Sequence, residues 1–265
     1  MAAHEITPWD WPGAYRALLA ECDLDAGTVL SGALQPAPDP QPALFSLAQM
    51  LEAPGLLIAQ LDRAAATGYE PPHPSQQRRR IATLSVLHQD LALRIIAPLA
   101  LRLFRDGTTP ALDPNRVFLT HLAQGRPDGQ WRHAIDPELS LKTADFVSQL
   151  ARQMCDWYPV FRRHYGVSPG AYWSSVGLAL GAPFSAVWNR VDPTALCRLA
   201  TAWLNQFNCD ANRYIDWIPA RFNNQPCALP QRRGCCLNYL LPNGGYCGTC
   251  GIYRRERMGN AFHPL

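Results

Sequence analysis

Four cysteines stand close together near the C-terminus, in the order Cys235, Cys236, Cys247 and Cys250. The chain has nine cysteines, and the other five are scattered, at Cys22, Cys155, Cys197, Cys209 and Cys227. An odd total without regular spacing argues against a disulfide framework. A tight group of thiols in a reducing compartment instead predicts a bound metal. Any fold of this chain must therefore bring four sulfur atoms to one place.

The segment between Cys236 and Cys247 suggests how these sulfur atoms meet. Pro242-Asn243-Gly244-Gly245 lies midway along it and is a tight-turn signal. We therefore expect a hairpin that folds Cys247 back against Cys236. Gly248, which follows Cys247, and Gly251, which follows Cys250, permit the unusual backbone angles that a metal-binding loop needs. The site is predicted to be local, without ligands from distant parts of the chain.

The adjacent pair bears on the identity of the metal. Four thiolates suit Zn²⁺ and iron–sulfur clusters equally well. Zinc sites usually use two spaced pairs, whereas Cys235 and Cys236 are neighbours, and neighbouring side chains reach one small ion only if the backbone kinks. A two-iron cluster is larger and takes ligands from a wider arc, so the spacing favours iron–sulfur. A structural zinc site that merely closes the tail stays open as the alternative.

The motif Cys-Cys-x10-Cys-x2-Cys, as it stands at Cys235, Cys236, Cys247 and Cys250, resembles that of the ferric siderophore reductases of the FhuF type. The resemblance is specific over about 20 residues of this motif and rests on length and helical character elsewhere. It implies a [2Fe–2S] cluster on the four cysteines and cytosolic reduction of Fe³⁺ in an imported siderophore, commonly a hydroxamate. It also implies a distant fold kinship with the C-terminal part of siderophore synthetases.

The source of electrons is expected to be a separate protein. Gly177-Leu178-Ala179-Leu180-Gly181-Ala182 lacks the G-x-G-x-x-G spacing of a nicotinamide or flavin site, and no clear strand precedes it. A ferredoxin or an NAD(P)H-dependent reductase is the expected donor. Two other functions stay open: a helical binding protein with a zinc-closed tail, and an iron–sulfur electron carrier without a siderophore site.

Charged and aromatic residues near the motif are further candidates for function. Arginines precede and follow the cysteines, at Arg232, Arg233, Arg254, Arg255 and Arg257. They are predicted to raise the cluster potential or to attract an acidic ferredoxin or an anionic siderophore, with solvated surface charges as the simpler alternative. Most of the eight tryptophans are expected in the core. The candidates for a siderophore-binding wall are Trp173, Trp188, Tyr214 and Trp217.

Composition and charge limit the expected partners and the expected cellular location of the protein. A formal net charge of +3 is too small to indicate nucleic acid, and none is expected as a partner. The N-terminal residues lack the basic and apolar regions of a secretory signal. The most apolar stretch, Leu91 to Phe104, is too short to cross a bilayer, which needs about 20 residues. We expect a cytoplasmic monomer, with peripheral contact at the inner face of the cytoplasmic membrane as an alternative.

The predicted fold class is α+β and dominated by helices. A mainly helical, siderophore-binding body is expected at 1–220 and a loop- and turn-rich cluster-binding segment at 221–265. Helical spacing runs from Leu44 to Ala66, and a second helix is expected from a Ser75 cap to about Arg105, bent at Pro98. Arg116 to Leu122 and Trp131 to Ile135 are predicted to pair as a hairpin.

Three helix starts are predicted where a capping side chain precedes a proline, at Asp136-Pro137, Ser168-Pro169 and Asp192-Pro193. The first helix should end at Gly166. Gly166-Val167-Ser168-Pro169-Gly170 also fits the nucleophile elbow of hydrolases. Because the proline after Ser168 has no N–H for an oxyanion, we interpret Ser168 as a cap instead. His88, His121 and His133 show no ligand spacing and are expected to be ordinary residues.

Overall fold

Helices form most of the structure, which is a computed structural model. It describes residues 10–34, 42–66, 74–120, 129–136, 138–242, 244–250 and 262–264. The helices are α1 Trp11–Ala20, α2 Ala26–Ala33, α3 Leu47–Glu52, α4 Gly55–Ala66, α5 Pro74–Leu91, α6 Ala97–Asp106, α7 Thr143–Tyr165, α8 Pro169–Leu180, α9 Ala182–Ser185 and α10 Pro193–Leu204. Short 3-10 turns lie at Pro114–Arg116, Asp210–Arg213 and Asn238–Leu240.

The strands form small antiparallel sheets. They are β1 Ala43–Ser46, β2 Thr109–Pro110, β3 Val117–Thr120, β4 Gln130–His133, β5 Ser140–Leu141, β6 Ile215–Phe222, β7 Gln225–Arg232 and β8 Phe262–Pro264. In the described residues the strand orders are β1-β3-β4, β2-β5 and β7-β6-β8. The helix-dominated α+β class is therefore confirmed.

Several local predictions are confirmed. Strands β3 and β4 pair as the expected hairpin, with Val117 opposite His133, although the turn between them lies outside the described residues. The Ser168 hydroxyl accepts a hydrogen bond from Ala171 N–H at 3.1 Å, and so caps α8. Asp192 caps α10 in the same way. Helix α7 ends at Gly166, which adopts a left-handed φ of 69°.

In the first half, the helix predicted from Leu44 is wrong at its start, whereas the helix predicted from Ser75 to about Arg105 is present but differs in its cap and its irregularity. The stretch from Leu44 to Ala66 begins as strand β1, and Ser46 then starts α3 through a capping box. This helix ends at Glu52, because the next residue, Ala53, precedes Pro54 and a residue before proline disfavours the helical conformation. Between α5 and α6 the irregularity is a π-helical turn at Ala92–Ile96, just before Pro98. Helix α5 already includes Pro74, so Ser75 lies inside it rather than at its cap.

The predicted helix start at Asp136-Pro137 is also wrong. Helix α7 begins at Thr143, after strand β5 has paired with β2. The Asp136 carboxylate accepts a hydrogen bond from the Arg116 guanidinium at 2.9 Å and another from Glu138 N–H. A tertiary ion pair thus occupies the side chain that would have capped a helix.

The long helical stretch from Gln76 to Asp106 belongs to the core. It is long and apolar enough to cross a membrane by length and composition, but 67% of its most apolar window is buried inside the protein. Its α6 part packs against α1, α2, α8 and α9. Leu103 and Phe104 are fully buried there. Burial of this kind is what a core helix shows.

The β6–β7 hairpin is the element that carries the cysteine segment, and sequence reasoning missed it. Eight residue pairs align, from Ile215 opposite Arg232 to Phe222 opposite Gln225. The turn consists of Asn223 and Asn224, both with positive φ, as a two-residue hairpin turn requires. The segment 221–265 was expected to be rich in loops and turns, and the presence of β7 corrects that expectation. The hairpin packs on α8 and α10, so it holds the cysteines against the helical body. The division at residue 220 stays a prediction, and the hairpin crosses it.

Candidate metal centre

The cysteine segment leaves the end of β7 and returns to it. After Arg232 the chain passes Cys235 and Cys236, and Cys250 then forms a parallel bridge with Arg232. The Arg232 N–H donates to the Thr249 carbonyl at 3.1 Å. Both ends of the segment are thus attached to one residue. Backbone pairing therefore places Cys250, the last cysteine of the motif, beside Arg232, three residues before the first cysteine.

A backbone kink follows the adjacent pair. Leu237 has a φ of 63° and a ψ of 12°, a left-handed conformation that leucine rarely adopts. Its N–H donates to the Cys235 sulfur at 3.3 Å. A kink of this kind is what two neighbouring cysteines need in order to turn toward one centre. An N–H donor to sulfur is also a common neighbour of iron–sulfur thiolates.

The spacer folds back as predicted, although not as paired strands. The 3-10 turn at Asn238–Leu240 starts the reversal, and Asn238 Nδ2 donates to the Gly245 carbonyl at 3.0 Å. The Cys236 and Cys247 thiols come into hydrogen-bonding contact. This hydrogen bond holds the pKa of Cys247 below its usual range and that of Cys236 above it. Burial raises the pKa of Cys235.

Arg232 lies inside the protein, not on its surface. Its side chain is only 2% exposed, and it is held by α8 and α5. The guanidinium donates to Ser174 Oγ at 2.9 Å and to Ser175 Oγ at 2.8 Å, both on α8. Its positive charge also lowers the pKa of Cys235, Cys236 and Cys247, although hydrogen bonding and burial are the larger influences. The sequence did not reveal this burial.

The remaining arginines of the predicted group differ from Arg232. Arg233 is exposed and forms a two-pronged ion pair with Asp216, with both N···O distances at 2.7 Å. A carboxylate therefore already compensates its charge. Arg254, Arg255 and Arg257 lie outside the described residues.

A close backbone contact seats the segment on α8. Gly234, immediately before Cys235, lies so close to Gly170 that an added Cβ would come within 2.0 Å of the Gly170 carbonyl. Tyr214 flanks this contact, because its ring is 3.7 Å from the position of a Gly170 Cβ. The first turn of a helix carries partial positive charge. The start of α8 therefore faces the residue that leads into the cysteines.

The predicted aromatic residues fall in different places. Trp173 is 3% exposed and belongs to the core. Trp188 follows α9, and its ring contacts that of Phe222 at the turn end of the hairpin. Phe222 pairs with Gln225, which lies about 20 Å from Arg232 along β7. Tyr214 is half-buried beside the cysteine segment. Of the four candidates, Tyr214 and Trp217 are the ones that lie toward the cysteine end of the hairpin.

Trp217 lines a groove between α10 and β6. The groove has a volume of about 400 Å³, and its polar lining includes Thr194, Arg198, Thr201 and Asn205. Trp217 is 8% exposed and pairs with Pro230, two residues before Arg232 along β7. Two strand residues span about 7 Å, so the groove begins close to the cysteine end. Its volume is in the range of small-molecule sites.

Tyr239 and Tyr246 form an exposed aromatic pair that sequence reasoning missed. Their rings stack with centroids 5.3 Å apart and an interplanar angle of 17°. They are 40% and 39% exposed. Both stand on the spacer between Cys236 and Cys247, on either side of its turn. That symmetric placement was the signal in the sequence.

The comparisons with known proteins bear on this segment. Residues 232–250 match a protein family whose model is described as the FhuF 2Fe-2S C-terminal domain. The C-terminal segment is a FhuF-type [2Fe–2S] domain. The resemblance to the FhuF type is confirmed for these residues, and so is the [2Fe–2S] cofactor. The match begins at Arg232 and ends at Cys250, and the helical body lies outside it. No curated protein gives a significant match to the chain.

The residues of the FhuF-type domain fit a thiolate-bound cluster. Four thiols lie in one short segment, with an N–H directed at one sulfur and a buried cation beside them. Among the described residues, no three His, Cys, Asp or Glu side chains form a finished metal-binding group. Cys236 and Cys247 are instead in hydrogen-bonding contact with each other, and thiols that bind a metal must lose their protons. The donor set is therefore chemically suited to the cluster.

Proposed function

We propose that this protein is a ferric siderophore reductase whose [2Fe–2S] cluster is bound by Cys235, Cys236, Cys247 and Cys250. The observation that carries the proposal is the FhuF-type domain, whose cysteine segment is anchored on the helical body by Arg232 and Gly234. An anchored cluster suits electron transfer, because a donor must be held at a fixed distance from its acceptor.

The chemistry is the transfer of one electron. When bound, the cluster supplies an electron to the siderophore-bound Fe³⁺, which becomes Fe²⁺ and is held far more weakly by the hard oxygen ligands. The chain's own residues hold the ligands and shape their surroundings. The Leu237 N–H and the Arg232 guanidinium place positive charge next to sulfur atoms. Donors of this kind stabilise the added negative charge of a reduced centre.

The groove between α10 and β6 is the proposed substrate site. It combines an aromatic wall at Trp217 with hydroxyl and amide groups, and it opens near the cysteine end of the hairpin. A siderophore complex has much apolar surface together with polar ligand atoms, which suits such a lining. Tyr214 and the exposed Tyr239–Tyr246 pair extend aromatic surface toward the cysteines.

The electron donor in this proposal is an external ferredoxin or NAD(P)H-dependent reductase, and the setting is the cytoplasm. The protein would act as a monomer, with peripheral contact at the inner face of the cytoplasmic membrane as an alternative. Pull-down with the candidate donors under anaerobic conditions tests the first point. Fractionation of cells into cytosol and membranes tests the second.

The proposed function is tested by mixing the anaerobically reduced protein with a ferric hydroxamate. We expect the cluster absorbance to return to its oxidised form while a ferrous-specific chelator captures one Fe²⁺ per electron. A cluster that reduces reversibly but does not respond to ferric hydroxamates would identify an electron carrier instead. A colourless protein with one zinc per chain, after anaerobic purification, would contradict the proposal at its base.

The substrate site is tested by filling the groove. Thr201 is exposed and lines it, so Thr201→Trp should lower kcat/KM for a ferric hydroxamate at least tenfold, which corresponds to about 1.4 kcal/mol. The matched control is Ala144→Trp, at an exposed position of α7 outside the groove. Both variants should keep the cluster spectrum and its potential. Equal kcat/KM in Thr201→Trp and Ala144→Trp would place the substrate elsewhere.

A further inference from the structure

Arg232 combines three properties that seldom occur together. Its side chain is 2% exposed, it carries a permanent positive charge, and its backbone is paired with Cys250. A buried charge is costly unless an opposite charge or a full set of hydrogen bonds accompanies it. The groups around the guanidinium therefore indicate whether an opposite charge is missing beside it.

The hydrogen-bond partners of the guanidinium are all neutral. They are Ser174 Oγ, Ser175 Oγ, the Ala171 carbonyl at 3.3 Å and Gln89 Oε1 at 2.9 Å. Among the residues that the structure describes, no carboxylate forms an ion pair with Arg232. Four of the five N–H donors are thus used, but the charge is not neutralised.

Other groups around Arg232 add to this unbalanced charge rather than compensate for it. The first turn of α8 carries partial positive charge and supplies one of the acceptors. His88, one residue before Gln89 on α5, is 2% exposed and has its pKa lowered to about 3 by burial and, less strongly, by Arg232. The histidine is therefore neutral and brings no negative charge. Neighbouring Arg233, by contrast, has the Asp216 carboxylate as its partner.

The thiol groups are the remaining source of negative charge. The Arg232 charge acts on Cys235, Cys236 and Cys247, and the backbone of Cys250 is paired with Arg232 itself. Four thiolates around two ferric ions and two sulfides carry a net charge of about −2, and one more electron makes it about −3. This centre supplies the anion that the buried cation lacks.

We infer that Arg232 is the internal countercharge of the cluster, which raises its reduction potential and fixes the cysteine segment to α8 and α5. It acts as a positioning residue through charge and hydrogen bonds and does not contact the reacting iron of the siderophore. The inference rests on the proposed cluster ligation, and it does not depend on siderophore reduction.

The test is the midpoint potential of the cluster, measured by an EPR-monitored redox titration. Arg232→Gln should lower the potential, whereas the matched control Arg233→Gln, at an exposed arginine already paired with Asp216, should leave it unchanged. Arg232→Lys keeps the charge and should recover most of the lost potential. The difference between Arg232→Gln and the wild type should persist at high salt, because a buried charge is weakly screened. A wild-type potential in Arg232→Gln would overturn the inference.

A second variant covers the case in which Arg232→Gln fails to assemble a cluster. Gln89→Glu is nearly isosteric and places a carboxylate on the Arg232 Nη1 donor. If Arg232 is the countercharge, this variant should lower the potential although it strengthens the hydrogen bond. If charge at the Arg232 guanidinium does not reach the cluster, a carboxylate that neutralises it should leave the potential unchanged, and the inference fails. Absence of turnover with ferric hydroxamates in the wild-type protein would refute the proposed function without moving these potentials.

Discussion

The contact between Gly234 and Gly170 predicts that Gly234→Ala is severely destabilising. An added Cβ would stand 2.0 Å from both the carbonyl carbon and the oxygen of Gly170, and 2.5 Å from its Cα. These are backbone atoms near the start of a capped helix, so no side chain can rotate away. Carbon atoms in ordinary contact are about 3.5 Å apart, so the two segments must separate by about 1.5 Å.

The magnitude follows from what this separation breaks. Arg232 lies two residues away, and its bonds to Ser174, Ser175 and Gln89 are 2.8–2.9 Å long. A shift of about 1 Å takes such bonds beyond the range of hydrogen bonding. Overpacking typically costs about 1–3 kcal/mol, and hydrogen bonds to a charged group contribute about 1.5–3 kcal/mol each. Because these effects are not additive, we expect a loss of about 3–5 kcal/mol in the free energy of unfolding.

Thermal unfolding and iron content measure this loss. In a protein of this size 1 kcal/mol lowers Tm by about 2–4 °C, so a loss of about 3–5 kcal/mol in Gly234→Ala should lower it by about 6–20 °C. Iron and sulfide per chain should fall with it. Gly245→Ala is the control, because no atom lies within 4 Å of its added Cβ. Wild-type Tm and iron content in Gly234→Ala would show that this contact does not seat the cysteine segment.

Three further changes have defined outcomes. Cys247→Ser should remove most of the cluster absorbance, whereas Cys22→Ser, at an exposed thiol far from the segment, should leave it intact; an unchanged spectrum in Cys247→Ser would contradict the ligand assignment. His88 is neutral in the folded protein, so the unfolded state binds more protons between pH 6.5 and about 3, and stability falls with acidity there by up to about 1.4 kcal/mol per pH unit. His88→Phe should flatten this dependence in urea titrations, and an equally steep profile would count against it. Asp192→Ala removes the 2.7 Å cap of α10 and should cost about 1 kcal/mol in urea denaturation without altering the cluster.

The helix caps show which features a sequence can predict. Ser168 and Asp192 each accept a hydrogen bond from the N–H three residues later, so neighbours in the chain decide the outcome. Asp136 precedes a proline in the same way, yet its carboxylate is taken by Arg116, twenty residues away. Local chemistry was equal at all three positions. At Asp136 the carboxylate accepts instead from Arg116 and from Glu138 N–H, and no helix begins there.

The β6–β7 hairpin was missed because its sequence contains strong strand breakers. Pro219, Pro226 and Pro230 interrupt the two runs, and proline is disfavoured in paired strands. The Asn223-Asn224 dipeptide was the one signal in this segment that favoured a hairpin turn. Asparagine tolerates positive φ, and two such residues between two runs form a hairpin turn.

The cysteine motif and Arg232 mark the two extremes of predictability. The motif could be recognised in the sequence because its ligands lie close together in the chain and carry a specific chemistry. Arg232 looked like a member of a surface charge run. Its burial depends on Gln89, 143 residues earlier, and on the two serines of α8. No local pattern records partners at such distances.

The β6–β7 hairpin packs on α8 and its C-terminal Gly181 at glycines, and this contact sets an order for the folding steps. Gly177 accommodates Ala211 and Ile215 at its surface, and Gly181 accommodates the Trp217 ring, because neither glycine carries a Cβ. Synthesis proceeds from the N-terminus, so α8 leaves the ribosome before the hairpin that covers it. Until then the glycine face and the hydroxyls of Ser174 and Ser175 are open to water. Iron loading therefore waits until the hairpin docks on α8, and a nascent chain arrested before Arg232 exposes this uncovered helical face to chaperones.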